Sequence, residues 1–152
     1  MKLRVLWVGK TRSPELNRLI EDYSSRISHF LPLDKSEVRE PKGEGTKRIE
    51  AEGEKLLEAV GRSDRVIALD PNGREWTSEQ LADFIRKHMN EDARNLTFVV
   101  GGYAGLSGAV RLRADIRWSL SPLTFTHDLT RVILLEQIYR ALSIIHNLPY
   151  SK

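Results

Sequence analysis

Short apolar runs separated by polar segments are the first regular feature of the chain. Three of the runs are almost continuously apolar, which is typical of strands buried on both faces of a sheet: residues 2–9, 64–70 and 95–102. Residues 116–121 form a shorter run, and residues 34–41 form a more polar one that ends at Pro41. The pattern predicts five strands, of which the one before Pro41 is the weakest.

The segments between these strands have apolar residues at helical spacing. Ser13 can cap a helix in which Pro14 fits the first turn and Glu15 the positive end of the helix dipole. Thr77 and Gln80 have the spacing of a capping box. We expect five helices, in residues 13–27, in the second part of 43–61, from 77 to about 89, in 106–114 and from about 127 to 147.

Apolar strands that alternate with helices predict an α/β fold, with a parallel sheet flanked by helices. No linker or repeat interrupts residues 1–152, so we expect a single domain. Ligands of such sheets bind beyond the carboxyl ends of the strands. Three loops leave strands at that edge and are expected to form one site: LDPNG (69–73), GGYAGL (101–106) and LSPLTFTH (120–127).

The last predicted helix, from about His127 to Asn147, has apolar residues on nearly every side. At 100° per residue its leucines and isoleucines point in almost all directions: Leu129, Ile133, Leu134, Leu135, Ile138, Leu142 and Ile145. A surface helix would keep one polar face. The sheet can cover one side of this helix, and we expect a second subunit to cover the other, which predicts a homodimer.

Composition narrows the classes of function. The absence of cysteine excludes disulfides, thiolate metal sites and cysteine nucleophiles. A net charge of +3 permits a nucleic-acid partner without requiring one. The apolar run near the N-terminus is too short for a signal peptide or a membrane span, so we expect a cytoplasmic protein.

The glycine-rich turn GGYAGLSG (101–108) matches none of the common phosphate-binding motifs. No Gly-Lys-Ser/Thr follows it, as in a P-loop, and the G-x-G start of the dinucleotide fingerprint is missing. Ser107 is not in a nucleophile elbow, because the motif would need glycine where Ala109 stands. Two explanations remain: a tight turn that needs positive φ angles, or a loop whose backbone closely approaches a flat ligand.

The histidines show no metal-ligand spacing, and we expect no metal site: His29, His88, His127 and His146. His127 and Asp128 are adjacent in sequence, which is not the arrangement of a catalytic pair. We expect Thr126 to cap the last helix and Asp128 to lie in its first turn. A neutral His127 at that helix N-terminus could hydrogen-bond a ligand or a base edge.

Arginines follow the glycine loop and recur on the last helix. Glu136 and Arg140 have i,i+4 spacing, which predicts an ion pair. A solvated face is the ordinary explanation of the other basic residues. Contact with RNA is the alternative that we keep for Arg111, Arg113, Arg131 and Lys152.

Four segments together carry a resemblance to a known family: LDPNG (69–73), VVGGYAGLS (99–107), WSLSPLTFTHDLTRVILLEQIYRA (118–141) and NLPY (147–150). The third is highly specific, and segment order and length agree over essentially the whole chain. The chain resembles the RlmH family of SPOUT methyltransferases. The resemblance implies a SPOUT fold with a C-terminal trefoil knot, a homodimer, S-adenosylmethionine as methyl donor, and N3 of a pseudouridine in 23S ribosomal RNA within the ribosome as target.

By position, the resemblance also implies the residues that contact the cofactor: Leu69, Gly102, Ser121, Pro122, Leu123, Thr124, Phe125 and Thr126. The residues themselves agree with this, because a bent loop can hydrogen-bond adenine edges while Leu69, Leu123 and Phe125 supply apolar walls. We expect Gly102 to lie where a side chain would enter the adenosyl pocket.

The C-terminal tail departs from the family, which usually has Pro-Tyr-His and a basic residue where this chain has Pro149, Tyr150, Ser151 and Lys152. Ser151 therefore receives no catalytic role. His127 and Tyr150 are the candidates for the base, and we expect Tyr150 and Lys152 to reach the partner's cofactor loop. Two other functions stay open: a ribosome-docking module without activity, and an unrelated nucleotide-binding domain, which the missing phosphate motifs disfavour.

Overall fold

The computed structural model of the protein describes residues 1–151. The strands are β1 (Leu3–Val8), β2 (Leu33–Val38), β3 (Arg65–Glu75), β4 (Leu96–Val100) and β5 (Ile116–Ser119). They form a sheet in the order β2-β1-β4-β3-β5, in which every neighbouring pair is parallel. The predicted α/β class and parallel sheet are confirmed.

The helices also follow the predicted segments: α1 (Pro14–Ser28), α2 (Gly45–Ala59), α3 (Ser78–Glu91), α4 (Gly108–Arg113) and α5 (His127–Ile145), with a 3₁₀ turn at Pro149–Ser151. The Ser13 hydroxyl accepts the Leu16 N–H, and Thr77 and Gln80 form the expected capping box. Thr126 caps α5. Polar side chains at these three positions therefore set where α1, α3 and α5 begin.

Alternate residues of the strands face two separate cores. Leu3, Val5 and Trp7 of β1 belong to the core that α1, α3 and α5 cover. Leu6 and Val8 point the other way, into the core that α2 and α4 cover. This alternation follows from the two-residue period of a strand, and it gives three layers with helices on both faces of the sheet.

Strand β3 is longer than the sequence indicates. The sequence indicates a strand that ends at residue 70 and a loop over residues 69–73, but β3 continues to Glu75. Trp118 of β5 is opposite both Leu69 and Arg74, so the residues between them loop out of the ladder. A Cβ on Gly73 would lie 2.6 Å from the Arg117 carbonyl carbon, so this position admits only glycine. The bulge is a local excursion within one strand.

The final helix, α5, is buried within its own chain. It lies between α1 and α3, and Leu134, Leu135 and Ile138 are fully buried. Helices α1 and α3 cover most of these apolar sides within the chain, and the expectation that a second subunit covers a side of α5 stays a prediction for the part that they leave open. An outward strip remains half-buried or exposed and carries Leu129, Ile133, Glu136, Arg140 and Ile144.

Within residues 1–151, no helix is long and apolar enough to cross a membrane.

A candidate ligand site at the carboxyl edge of the sheet

A cavity of about 730 Å³ lies beyond the carboxyl ends of β3, β4 and β5, where α5 begins. Its wall is formed by parts of residues 69–72, 100–106 and 120–127, together with Arg111 and Thr130. The three loops that the sequence singled out are therefore adjacent, as predicted. The volume lies within the roughly 300–1,000 Å³ of ordinary small-molecule sites.

Most of the predicted cofactor residues line this cavity: Leu69, Gly102, Ser121, Leu123, Thr124, Phe125 and Thr126. Pro122 lies in the same loop without being part of the lining. The loop is bent by its own side chains, because the Ser121 hydroxyl accepts the Leu123 N–H at 3.0 Å. Apolar walls beside a bent backbone fit a flat heteroaromatic group such as an adenosyl group.

The glycine turn needs glycine for two different reasons. Gly105 has a φ of +96°, which residues with a side chain rarely adopt. Its N–H donates to the Gly102 carbonyl at 3.0 Å. Gly102 needs no special φ, but a Cβ there would lie 2.8 Å from the carboxyl carbon of Glu52. The expectation that a side chain at Gly102 would enter the open pocket was therefore wrong in direction, because the side chain would meet α2.

Two acidic residues at this edge did not emerge from the sequence. Asp70 is buried on the cavity wall, with Oδ2 3.5 Å from both Arg111 Nε and Arg117 Nη1. Glu52 is buried on α2 behind Gly102. A signal was present for Glu52: it falls on the apolar side of its helix, three residues after Ile49 and four before Leu56.

The arginines considered for RNA contact have different surroundings. Arg131 is only 2% exposed. It donates hydrogen bonds to the Val8 carbonyl at 2.6 Å and to the Thr11 hydroxyl at 3.0 Å. Arg113 donates to the carbonyls of Gly61 and Asp64. Both are held by their own chain, which favours structural roles. The Arg111 side chain is 45% exposed at the cavity edge. Lys152 lies outside the described residues.

His127 stands at the cavity mouth, where α5 begins, and its ring contacts Tyr103 edge to face at 6.1 Å between centroids. Burial lowers the pKa of the imidazole below its ordinary value of 6.5, and the nearby charge of Arg131 lowers it further. Both effects disfavour the protonated ring. His127 is therefore neutral near pH 7 and can accept a hydrogen bond.

We expect this lowered pKa to make the protein less stable in mild acid. Because the folded state resists the proton that the unfolded chain accepts, the free energy of unfolding should fall as the pH drops from about 7.5 to 5. Replacing His127 with glutamine should reduce that slope. Urea unfolding across the range measures it, with the ring titrated by NMR; a midpoint above the ordinary value would contradict the assignment.

Tyr150 is not part of the lining of this cavity in its own chain. Its hydroxyl is 3.1 Å from that of Tyr23 and donates to Glu136 Oε1 at 3.3 Å, and its ring packs edge-on against Tyr139. Burial is the main cause that raises the pKa of the Tyr150 phenol, and the hydrogen bond with Tyr23 raises it further. The Tyr150 hydroxyl bonds Glu136, which is nine residues after His127 and therefore roughly 14 Å from it along α5 at 1.5 Å per residue, so one chain does not bring the two candidate bases together.

Helix α5 also contains the ion pair that the sequence predicts, because Glu136 and Arg140 lie 2.6 Å apart.

Across residues 1–151, no three side chains of the His, Asp or Glu types are grouped so that they could hold a metal ion. The cavity itself is built from apolar walls, backbone and a few polar groups.

The chain is similar to known proteins along its whole length. A protein-family model described as predicted SPOUT methyltransferase matches residues 1–151. The chain is 43% identical over 154 residues to "Ribosomal RNA large subunit methyltransferase H" of Trichlorobacter lovleyi, with 99% of each protein covered. It is 44% identical over 151 residues to the protein of the same name from Geobacter sulfurreducens, again with 99% of each covered.

Solved structures share the fold at low sequence identity. A probable methyltransferase of Bordetella pertussis superposes with a TM-score of 0.57 at 13% identity, covering 93% of this chain and 94% of that one. A probable methylase family protein of Haemophilus influenzae gives a TM-score of 0.56 at 10% identity, covering 99% of this chain and 70% of that one. From the family match and the relatives along its whole length, the chain belongs to the SPOUT methyltransferase family.

Proposed function

We propose that the protein transfers a methyl group from S-adenosylmethionine to N3 of a pseudouridine in 23S ribosomal RNA within the ribosome. The observation that carries the proposal is the cavity shared by the three loops, in a chain of this family. The relatives' name supports ribosomal RNA as the substrate class. The protein would then act in the cytoplasm, where bacterial ribosomes are.

The residues of the cavity fit the adenosyl group of the donor. Leu69, Leu123 and Phe125 provide apolar surface, and the bent loop 120–126 provides backbone groups for the adenine edge. S-adenosylmethionine supplies an already activated methyl group. The remaining task of the chain is to hold the methyl donor and the target nucleobase in line. Orientation of this kind can lower a reaction barrier by several kcal/mol.

The target nitrogen must also lose its proton. A positioned base contributes roughly 10²–10⁴-fold to such a step. We assign this role to His127, which is neutral and lies at the cavity mouth. Tyr150 fits a hydrogen-bond donor better than a base, because the raised pKa keeps its hydroxyl protonated.

We further propose a homodimer in which each site is composite. In a two-fold dimer formed through the outward strips of α5, antiparallel helices would bring the Tyr150 end of one chain beside the cavity of the other. Leu129 and Leu148 remain exposed near the two ends of that strip and would be covered. The trefoil knot also belongs to this proposal; it is supported by the loop 120–127 sharing a cavity with the turn 100–106.

Deletion of the protein's gene tests the proposed reaction. We expect mass spectrometry of 23S ribosomal RNA to show one methylated pseudouridine in wild-type cells and the unmethylated base in the deletion strain. Re-expression should restore the methyl group. Identical methylation in the two strains would contradict the proposal, and binding to ribosomes without methyl transfer would support the docking module instead.

The substrate should be an assembled ribosome. A net charge of +3 gives little general attraction to RNA, and two of the arginines considered for RNA contact are held within the chain. We therefore expect methyl transfer to ribosomes at least tenfold faster than to a protein-free hairpin of the same sequence, an effect of about 1.4 kcal/mol. Equal rates in a radiolabelled methyl-transfer assay would contradict this expectation.

A further inference from the structure

A second cavity, of about 410 Å³, adjoins the first at the carboxyl ends of β1 and β4. The two cavities share Gly102, Tyr103 and His127 as a common wall. The second one is lined mainly by charged side chains, whereas the first is largely apolar. The proposed reaction uses His127 of the shared wall but none of the other charged side chains of this cavity.

Glu52 is the buried anion of this second cavity. Its side chain is 2% exposed, and neither carboxylate oxygen accepts a hydrogen bond from any residue between 1 and 151. The nearest cationic atom is Arg48 Nε, at 3.4 Å. Burial raises the pKa of Glu52, and the Arg48 guanidinium opposes that rise. A buried carboxylate with so little hydrogen bonding is costly unless a further positive group approaches it.

Arg131 is the buried cation of the same cavity. Its two terminal nitrogens are bonded, but Nε has no partner among the described residues, and the same holds for Nε of Arg48. The cavity therefore has an unsatisfied acceptor group and unsatisfied donors on one wall. That arrangement is complementary to an amino-acid zwitterion, in which a positive ammonium and a negative carboxylate are attached to the same carbon.

We propose that this second cavity holds the amino-acid half of the methyl donor, with its ammonium attracted by Glu52 and its carboxylate by Arg131 and Arg48. The inference rests on the proposed function, because the adenosyl half then occupies the first cavity. The donor would pass along the shared wall at Gly102. Since Gly102 has no side chain, the Glu52 carboxylate has room beside it on the cavity wall, and attraction between opposite charges is stronger in such a buried setting than in water.

The charges of the ligand provide the test, by calorimetric titration with three probes. S-adenosylhomocysteine carries both the ammonium and the carboxylate, decarboxylated S-adenosylmethionine lacks the carboxylate, and 5′-methylthioadenosine lacks both. In Glu52→Gln we expect affinity for the first two to fall about tenfold or more, with methylthioadenosine unchanged. Glu54→Gln, which removes an exposed charge from the same helix, should change none of the three affinities.

A second variant tests the opposite charge. Arg48→Gln should weaken binding of S-adenosylhomocysteine by a similar factor and binding of the decarboxylated probe less, because that probe has no carboxylate and is affected only through Glu52, which Arg48 contacts. This crossed pattern separates binding of the amino-acid half from a general effect on folding, which would weaken methylthioadenosine as well. Thermal unfolding of each variant provides the measure of folding.

The outcomes distinguish this inference from the proposed function. Equal losses for all three probes in Glu52→Gln, or no loss for any, would overturn the assignment of the second cavity. Unchanged binding with slower methyl transfer would also overturn it, and would instead place a nucleotide of the RNA there. If the wild-type protein binds neither S-adenosylhomocysteine nor methylthioadenosine, the proposed function itself fails.

Discussion

Replacing Gly102 with valine should reduce affinity for S-adenosylmethionine at least about a hundredfold, or roughly 3 kcal/mol. A Cβ at this position overlaps the carboxylate of Glu52, which is buried and lies 3.4 Å from Arg48 Nε. Either the turn or this carboxylate must then move into the adjoining cavities that the ligand needs. Calorimetric titration of the folded variant measures the loss, and circular dichroism shows that the fold is kept.

Gly108→Val is the matched control for this substitution. Gly108 lies a few residues further along, at the start of α4, and a Cβ there meets nothing within 4 Å. This variant should bind the cofactor with wild-type affinity. If Gly102→Val also bound normally, the glycine turn would not be part of the cofactor site, and the assignment of the whole cavity would be weakened.

Mixing two inactive variants should restore methyl transfer. In Gly102→Val the cofactor pocket is blocked while Tyr150 is intact, and in Tyr150→Ala the reverse holds. Random pairing after joint unfolding and refolding gives about half mixed dimers, each with one intact composite site of two, so we expect about a quarter of wild-type activity. A methyl-transfer assay on ribosomes measures the recovery, with each variant alone as its control.

The structure gives this experiment a clear alternative outcome. Tyr150 is bonded to Tyr23 and Glu136 of its own chain, so its removal could act only on the local fold of the tail. In that case verified heterodimers, purified through two different tags, would show no recovery. A monomer by light scattering would contradict the composite site directly, and would leave Leu129 and Leu148 exposed to solvent.

The order of strands and helices could be predicted from the sequence because it depends on local patterns. Continuous apolar runs such as residues 95–102 mark buried strands, and caps such as Ser13 and Thr77 mark helix starts. The three loops at the carboxyl edge were predictable for the same reason, since parallel strands all end at one edge. Most of the cofactor residues came from the resemblance, applied to the positions of those loops.

Other features depend on residues that are far apart in the chain and so leave little local trace. The sequence indicated that α5 must be covered on more than one side, but only the packing of α1 and α3 decided what covers it. The turn expected after Asp70 became a bulge because β3 finds β5 again as a partner beyond it. In this segment the pairing of β3 with β5 determined the backbone conformation more than the turn-forming residues did.

The charges at the site show the same division. The sequence by itself determined that Arg131 and Glu52 lie on helices with apolar faces, but not which way each side chain points. The tertiary structure turned both inward, because Val8 offers a carbonyl to Arg131 and Gly102 leaves space for Glu52. Burial and partners of a charged group depend on the surfaces that meet around it, and those surfaces come from separate parts of the chain.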